Sequence, residues 1–205
     1  MAQLYPSKLG ISGAMSLRLS EPRWQSELKI NEDQVKTIQS AFESLVAAQN
    51  EMSKAISKAK PDQYAAIQQK QEKAEQATVT KILSSLSATQ KNRLLQIGLQ
   101  DAGPFALRNA DVAKKIGLTN DQRLKVNAIA TKTIATLDEM HAKVGEQMAA
   151  APQGKTGDKK RTAIMKSFEP KLKQIETMAE KQVLSILTPA QAQSWKKALG
   201  TPFTP

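Results

Sequence analysis

The side chains that could catalyse a reaction or hold a metal are few in this sequence of 205 residues. It has one histidine, His141, and no cysteine, so it offers no thiolate nucleophile and no pair of strong zinc or copper ligands. Its carboxylates stand singly or at helix starts, without the paired arrangement used in general acid and base catalysis. These features predict a protein that is not an enzyme and that binds no metal or cofactor.

One short segment is similar to part of a nucleotide-binding motif. Gly154-Lys155-Thr156 matches the end of a phosphate-binding loop, in which a glycine-rich backbone surrounds the phosphates. That motif also needs a glycine five positions before Gly154, where this sequence has Ala149. Nucleotide binding is therefore not predicted.

Positive charge is the strongest signal for a partner, since 30 Lys and Arg residues against 19 Asp and Glu residues give a net charge of +11. It is concentrated in residues 151–175, where the candidate binding residues are Lys155, Lys159, Lys160, Arg161, Lys166, Lys171 and Lys173. One interpretation is a solvated helix face. The other is a surface that attracts acidic or unfolded protein clients, with Met148, Met165 and Met178 as adaptable apolar contacts or as core residues.

Nucleic acid is an alternative partner that the charge alone suggests. Aromatic residues, which stack on bases, make up only 4% of the chain, and no known recognition module is present. Nucleic acid is therefore the less favoured partner. A third interpretation is a structural scaffold whose long helices self-associate as a homo-oligomer.

A short motif occurs four times, with an aliphatic residue, a small polar residue, two variable positions and a glutamine. Its fixed residues are Ile30, Asn31 and Gln34; Leu86, Ser87 and Gln90; Leu118, Thr119 and Gln122; and Leu187, Thr188 and Gln191. The first and third motifs are 88 residues apart, and the second and fourth are 101 apart. This spacing indicates a duplicated unit with an insertion near residues 151–157 of the second copy.

Each motif is typical of a capping box at the start of a helix. The small polar side chain accepts a hydrogen bond from a free N–H of the first turn, and the glutamine three residues later accepts one from the cap's own N–H. We therefore expect the motif residues to have a structural role before any binding role.

The elements that position these residues are predicted to be helices throughout. Apolar residues recur at steps of three and four after the first and third motifs, and a second long helix returns over about residues 62–83 and 158–184. Pro170 predicts a kink or a late start in the last of these. Short helices are expected to end near Gly98 and Gly200.

The predicted fold class is all-α, with two tandem helical-hairpin units of long antiparallel helices related by a pseudo-two-fold axis. The first unit is predicted to span residues 1–108, including an N-terminal extension, and the second to span residues 109–205. No run of alternating β-branched residues predicts a strand.

The motif Leu-Thr-x-x-Gln around a long helical hairpin resembles the LTXXQ-motif proteins of the bacterial envelope, the Spy/CpxP group. Leu118 to Gln122 and Leu187 to Gln191 match the motif fully, whereas the first copy has Ile30-Asn31 and Leu86-Ser87 in place of Leu-Thr. The resemblance covers about residues 28–200. It implies a cradle-shaped, all-α protein of the periplasm that acts as an ATP-independent chaperone or a stress-response modulator.

The location implied by this resemblance is periplasmic or secreted. No apolar stretch reaches the roughly 20 residues that a membrane-spanning helix needs. The first ten residues, MAQLYPSKLG, lack the basic start and apolar run of a signal peptide, so we expect a mature chain from which a signal was removed.

Overall fold

The computed structural model of this chain describes residues 10–204. Within that range the regular structure is helical and contains no strand, which confirms the all-α prediction. The helices are α1 (Gly10–Ser16), α2 (Pro22–Glu27), α3 (Glu32–Ile56), α4 (Tyr64–Ser85), α5 (Ala88–Ala102), α6 (Ala110–Ile116), α7 (Asn120–Ala149), α8 (Lys155–Ser185) and α9 (Pro189–Leu199). Short 3-10 helices cover Leu17–Ser20, Pro61–Gln63 and Gly103–Arg108.

The described residues separate into two compact units. The first unit contains residues 10–101 together with residues 198–204, and the second contains Ala102–Lys197. The division therefore falls before the Gly103–Arg108 segment and not at residues 108 and 109, because Phe105 and Leu107 of that segment are buried in the second unit. The predicted N-terminal extension, residues 1–9, lies outside the described residues.

In the first unit α3 and α4 run antiparallel. The Gln34 side chain at the start of α3 donates to the Ser85 carbonyl at the end of α4, over 2.8 Å, and Lys81 Nζ lies 3.0 Å from Ser40 Oγ. Aliphatic side chains of both helices join α2 and α5 in one core, whose fully or nearly fully buried members are Leu19, Trp24, Leu28, Ile38, Ala41, Ile82, Leu86, Leu94 and Ile97.

Helix α5 does not end at Gly98, so the prediction of a helix end there is wrong. Gly98 is buried within α5, and a Cβ atom at this position would lie 2.5 Å from Ile11 Cγ2 and 2.8 Å from Met15 Cγ. Glycine is needed here because α1 packs directly against α5, and not because the helix needs a left-handed cap. The other predicted end is correct, since α9 stops at Leu199.

The second unit is built around α7 and α8, which are also the two longest helices. Buried side chains continue along both, with Val126, Ala130, Leu137 and Val144 on α7 and Phe168, Ala179 and Val183 on α8. Helix α8 begins at Lys155 and continues through the exposed Pro170, so the expectation of a late start is wrong. No helix among residues 10–204 has the length and apolar character to cross a membrane.

Candidate functional site

All four motifs lie at helix starts and form reciprocal hydrogen bonds. Asn31 Oδ1 accepts from the Gln34 N–H over 2.9 Å, and Gln34 Oε1 accepts from the Asn31 N–H over 3.1 Å. Thr119 and Gln122 repeat this arrangement over 3.2 and 2.9 Å. The same two bonds join Ser87 to Gln90 and Thr188 to Gln191.

The aliphatic residue of each motif points its side chain toward the core. Leu86 is buried, and Ile30, Leu118 and Leu187 are half-buried. Each motif therefore starts a helix and docks that start onto the unit that contains it.

The four glutamines also form two side-chain pairs, one in each unit, and the capping-box pattern does not predict these pairs. In the first unit Gln34 Nε2 donates to Gln90 Oε1 over 2.8 Å, and Gln90 Nε2 donates to Gln34 Oε1 over 3.0 Å. In the second unit the corresponding distances between Gln122 and Gln191 are 2.7 and 2.9 Å. Each pair joins the starts of two helices that are more than fifty residues apart in the chain.

The remaining capacity of these amides is used as well. Gln34 Nε2 also donates to the Ser85 carbonyl and Gln90 Nε2 to the Leu28 carbonyl, while each Oε1 accepts a second bond from a cap N–H. An amide supplies two donors and two acceptor positions, and all are filled. The sequence contained one signal for the glutamine pairs. A capping box accepts either Glu or Gln, but all four motifs have Gln, and only Gln can also donate hydrogen bonds.

The basic residues of α8 divide into two sets. Lys155, Lys159, Lys166 and Lys173 follow one another at intervals of four, seven and seven residues, which places them on one face of a helix. All four are exposed, and that face is opposite the one carrying Phe168. We call these four residues the lysine row.

The other basic residues of this segment have different surroundings. Arg161 is half-buried and donates to Asp158 Oδ1 over 2.6 Å and to the Pro152 carbonyl over 3.2 Å, so it stabilises the turn before α8. Lys171 Nζ lies 5.4 Å from the centre of the Phe168 ring. Lys160 is exposed away from the lysine row.

The methionines near this segment are also divided. Met165 and Met178 are about half exposed, whereas Met148 is half-buried. Two of the three are thus available at the surface.

The residues considered for metal and nucleotide binding lie on α7 and at the start of α8. Within residues 10–204 there is no group of three or more His, Cys, Asp and Glu side chains that could hold a metal ion. His141 Nε2 is buried and has no hydrogen-bond partner among the described residues. Gly154, with φ +82°, is the last residue of the turn between α7 and α8, and Lys155 and Thr156 are the first two residues of α8.

The first hairpin contains an apolar groove in its half that is distant from the glutamine pair. Buried residues end at Leu45 on α3 and at Thr78 on α4, and beyond them the two helices enclose about 360 Å³ of open space. The apolar lining is Leu45, Ala48, Met52, Ala55, Ile67 and Ala74, with Gln49, Glu51, Lys70 and Gln71 completing it. We call this space the hairpin groove.

The offsets between the four motifs allow the lining residues to be compared with residues of the second hairpin. With the 88-residue offset Gln49 corresponds to Leu137, and with the 101-residue offset Gln71 and Ala74 correspond to Leu172 and Ile175. At these three positions the first hairpin has small or polar side chains and the second has large aliphatic ones, whereas Leu45 corresponds to the smaller Thr133. By the same offset Ile67 corresponds to Phe168, which is buried.

Further apolar side chains lie on the helices around the groove. Val46, Ile56 and Tyr64 are each about half exposed, a high fraction for large apolar residues.

Comparison of the chain with models of known protein families, with curated proteins and with solved structures finds no match in any of the three.

Proposed function

We propose that this protein binds unfolded proteins in the bacterial envelope as an ATP-independent holdase or stress-response modulator, and that the hairpin groove is its client site. The observation that carries the proposal is an accessible apolar groove in one hairpin, three of whose lining positions correspond by sequence offset to Leu or Ile in the other hairpin. A folded chain with no partner gains nothing from leaving such a space open, because apolar side chains would stabilise it.

The groove suits aliphatic side chains of an unfolded client. Complete burial of one Leu or Ile side chain contributes about 1.5–3 kcal/mol, so one or two such contacts give weak, reversible binding. Met52 at the centre of the groove has a flexible thioether side chain that adapts to side chains of different shape. Weak and adaptable contact is what a protein that holds many different clients needs.

The lysine row would act at an earlier stage. Four exposed ammonium groups on one helix face attract acidic segments of a client over about 10 Å at moderate salt. Long-range attraction raises the rate of encounter, and the groove then holds the apolar side chains.

Membership of the LTXXQ group and a location in the periplasm are part of this proposal. They are supported by four motifs that all form the same cap and by glutamine pairs that occur once in each unit. A pseudo-two-fold relation between the copies is proposed on the same basis.

The test is suppression of aggregation of a denatured model protein on dilution, without ATP. The variant Gln49→Leu, Gln71→Leu, Ala74→Ile fills the groove with side chains of the size found in the second hairpin. We expect this variant to lose most of the suppression and to unfold at a higher temperature, because it buries its own apolar side chains.

A matched control adds the same side chains on the outer faces of the same helices. The control variant is Gln39→Leu, Gln69→Leu, Ala65→Ile, and all three substitutions lie at exposed positions outside the groove lining. The control should suppress aggregation at least as well as the unmodified chain. If the groove-filled variant also suppresses fully, the client does not bind in the groove and the proposal fails.

Nucleic-acid binding is a second candidate, favoured by the lysine row. If four lysines contact phosphates, the logarithm of the affinity for single-stranded DNA should fall against the logarithm of salt with a slope of about −3. Replacement of the four lysines by glutamine should remove that slope. Binding that is absent at low salt eliminates this candidate.

A further inference from the structure

A segment that follows α9 occupies a cleft on the first unit, and its contacts are mostly through the main chain. Arg93 Nη1 donates to the Thr201 carbonyl over 2.8 Å. Gln100 Nε2 donates to the carbonyls of Leu199 and Thr201 over 2.6 and 2.7 Å, and Gln100 Oε1 accepts from the Phe203 N–H over 2.8 Å. One glutamine side chain thus pairs with an extended backbone as a neighbouring strand would.

One side chain of the segment makes a specific contact. The Phe203 ring packs edge-on against Trp24 with ring centres 5.0 Å apart, and the Arg18 guanidinium lies 5.4 Å from the Trp24 ring centre. Gly200 has φ +64°, a left-handed backbone conformation that favours glycine, and a Cβ atom there would also displace the end of the Gln96 side chain. We call the surface formed by Trp24, Arg93, Gln96 and Gln100 the aromatic cleft.

Residues of the aromatic cleft are held in place by the first unit itself. Arg93 forms an ion pair with Glu27 at 2.7 Å, and both side chains are largely buried. Arg93 Nη1 also donates to Gln96 Oε1 over 3.1 Å. The hydrogen-bonding groups are therefore oriented by neighbours other than the segment they bind, as in a preformed site.

All of the occupying segment except Leu199, the last residue of α9, lies outside the helices. Thr201, Pro202 and Thr204 are exposed and belong to no helix, and Phe203 is only half-buried. Its counterpart in the second unit, the Gly103–Arg108 segment, has Phe105 and Leu107 buried in the core. The Trp24 indole N–H also remains without a hydrogen-bond partner among the described residues while the segment is bound.

We infer that the aromatic cleft is a binding site for extended segments of other polypeptides that carry an aromatic side chain, and that residues 199–203 occupy it in competition with them. Three of its four main-chain contacts are donated to carbonyl oxygens, which every polypeptide has. The Trp24 ring then selects for an aromatic residue placed two positions after the second carbonyl. This site is separate from the hairpin groove, so either can fail without the other.

The test uses the full chain with Trp195→Phe, which leaves Trp24 as the only tryptophan. The probe is a synthetic peptide with the sequence of residues 199–204, and binding is followed by Trp24 fluorescence. Gly200→Ala and Phe203→Ala release the segment, while Thr204→Ala is the control at an exposed position. Both released variants should bind the peptide at least about tenfold more tightly than the control, because the competing segment no longer fills the cleft.

Two further results locate the binding. A peptide with Ala in place of Phe should not bind, and Gln100→Ala added to Phe203→Ala should abolish binding. If both released variants keep the helical circular dichroism of the parent but bind no tighter than the control, the inference is overturned. Phe203→Ala removes only a half-buried ring, so it decides the matter if Gly200→Ala unfolds.

Discussion

The α3–α4 and α7–α8 hairpins share one design near the glutamine pairs and differ in their distant halves. Near the pairs, Ile38 and Ile82 of the first hairpin and Val126 and Val183 of the second are all fully buried. Farther out, the first hairpin has no buried residue and encloses the hairpin groove, whereas Val144, Ala151 and Phe168 of the second are buried.

This difference indicates that residues near the glutamine pairs hold each hairpin together, whereas residues in the distant half can vary without unfolding it. The capping boxes and glutamine pairs fix the helix starts in both units, so the outer half of a hairpin can lose side-chain volume while the inner half remains folded. Loss of packing in one copy only is what we expect when that copy acquires a partner.

The largest predicted effect comes from matched truncations in the two distant halves. Phe168→Ala removes a buried ring and should reduce the free energy of unfolding of the second unit by about 3 kcal/mol. Ile67→Ala removes a side chain that lines open space and should reduce that of the first unit by only about 1 kcal/mol. Urea unfolding followed by circular dichroism measures both.

Because the chain divides into two compact units, each curve should be fitted with two transitions. If the two truncations reduced the free energy of unfolding equally, the first hairpin would be closed in solution. The proposed difference between the two hairpins would then be wrong.

A smaller and equal effect is expected from the glutamine pairs. Gln34→Leu and Gln122→Leu each deprive the partner glutamine amide of the two hydrogen bonds that join the pair, which costs about 2 kcal/mol in either unit. The double variant Gln34→Leu, Gln90→Leu should lose less than the sum of its single variants, because no amide is then left unpaired. Additive losses in this double-mutant cycle would show that the two glutamines do not interact.

Local signals in the sequence were enough to predict several helix boundaries, although not the end of α5. Asn31 and Thr119 cap α3 and α7 at the positions that the capping-box pattern indicates. Gly117, with φ +77°, follows α6. These features depend on residues within one turn of each other, so a single sequence contains them in full.

Features that depend on contacts between distant residues were not predictable in the same way. Gly98 has the sequence appearance of a helix end, but its role is set by Ile11 and Met15, more than eighty residues earlier. The hairpin groove depends on the pairing of α3 and α4, which brings Gln49, Gln71 and Ala74 to the lining of one space. The lysines of α8 could be found from charge alone, whereas the role of Arg161 in the turn could not.

The smallest predicted effect concerns one carboxylate that distinguishes α8 from α4. With the 101-residue offset Glu180 corresponds to Val79, which is buried. Burial raises the pKa of Glu180 above its usual value, and repulsion from Glu176 raises it further. Ionised Glu180 is thus less favourable in the folded chain than in the unfolded chain.

A raised pKa in the folded state contributes stability below the unfolded pKa, near 4.5, and that contribution is lost as the pH rises through the folded pKa. Glu180→Gln should therefore stabilise the second unit at pH 7, by less than about 1 kcal/mol because the side chain is partly solvated. The gain should vanish below pH 4.5, where the native carboxyl is already neutral. Glu169→Gln removes the same charge from an exposed position of α8 and is the matched control for thermal unfolding at both pH values. A gain for Glu180→Gln that is the same at both pH values would assign the effect to packing, and not to the cost of burying a charge that the first hairpin avoids with Val79.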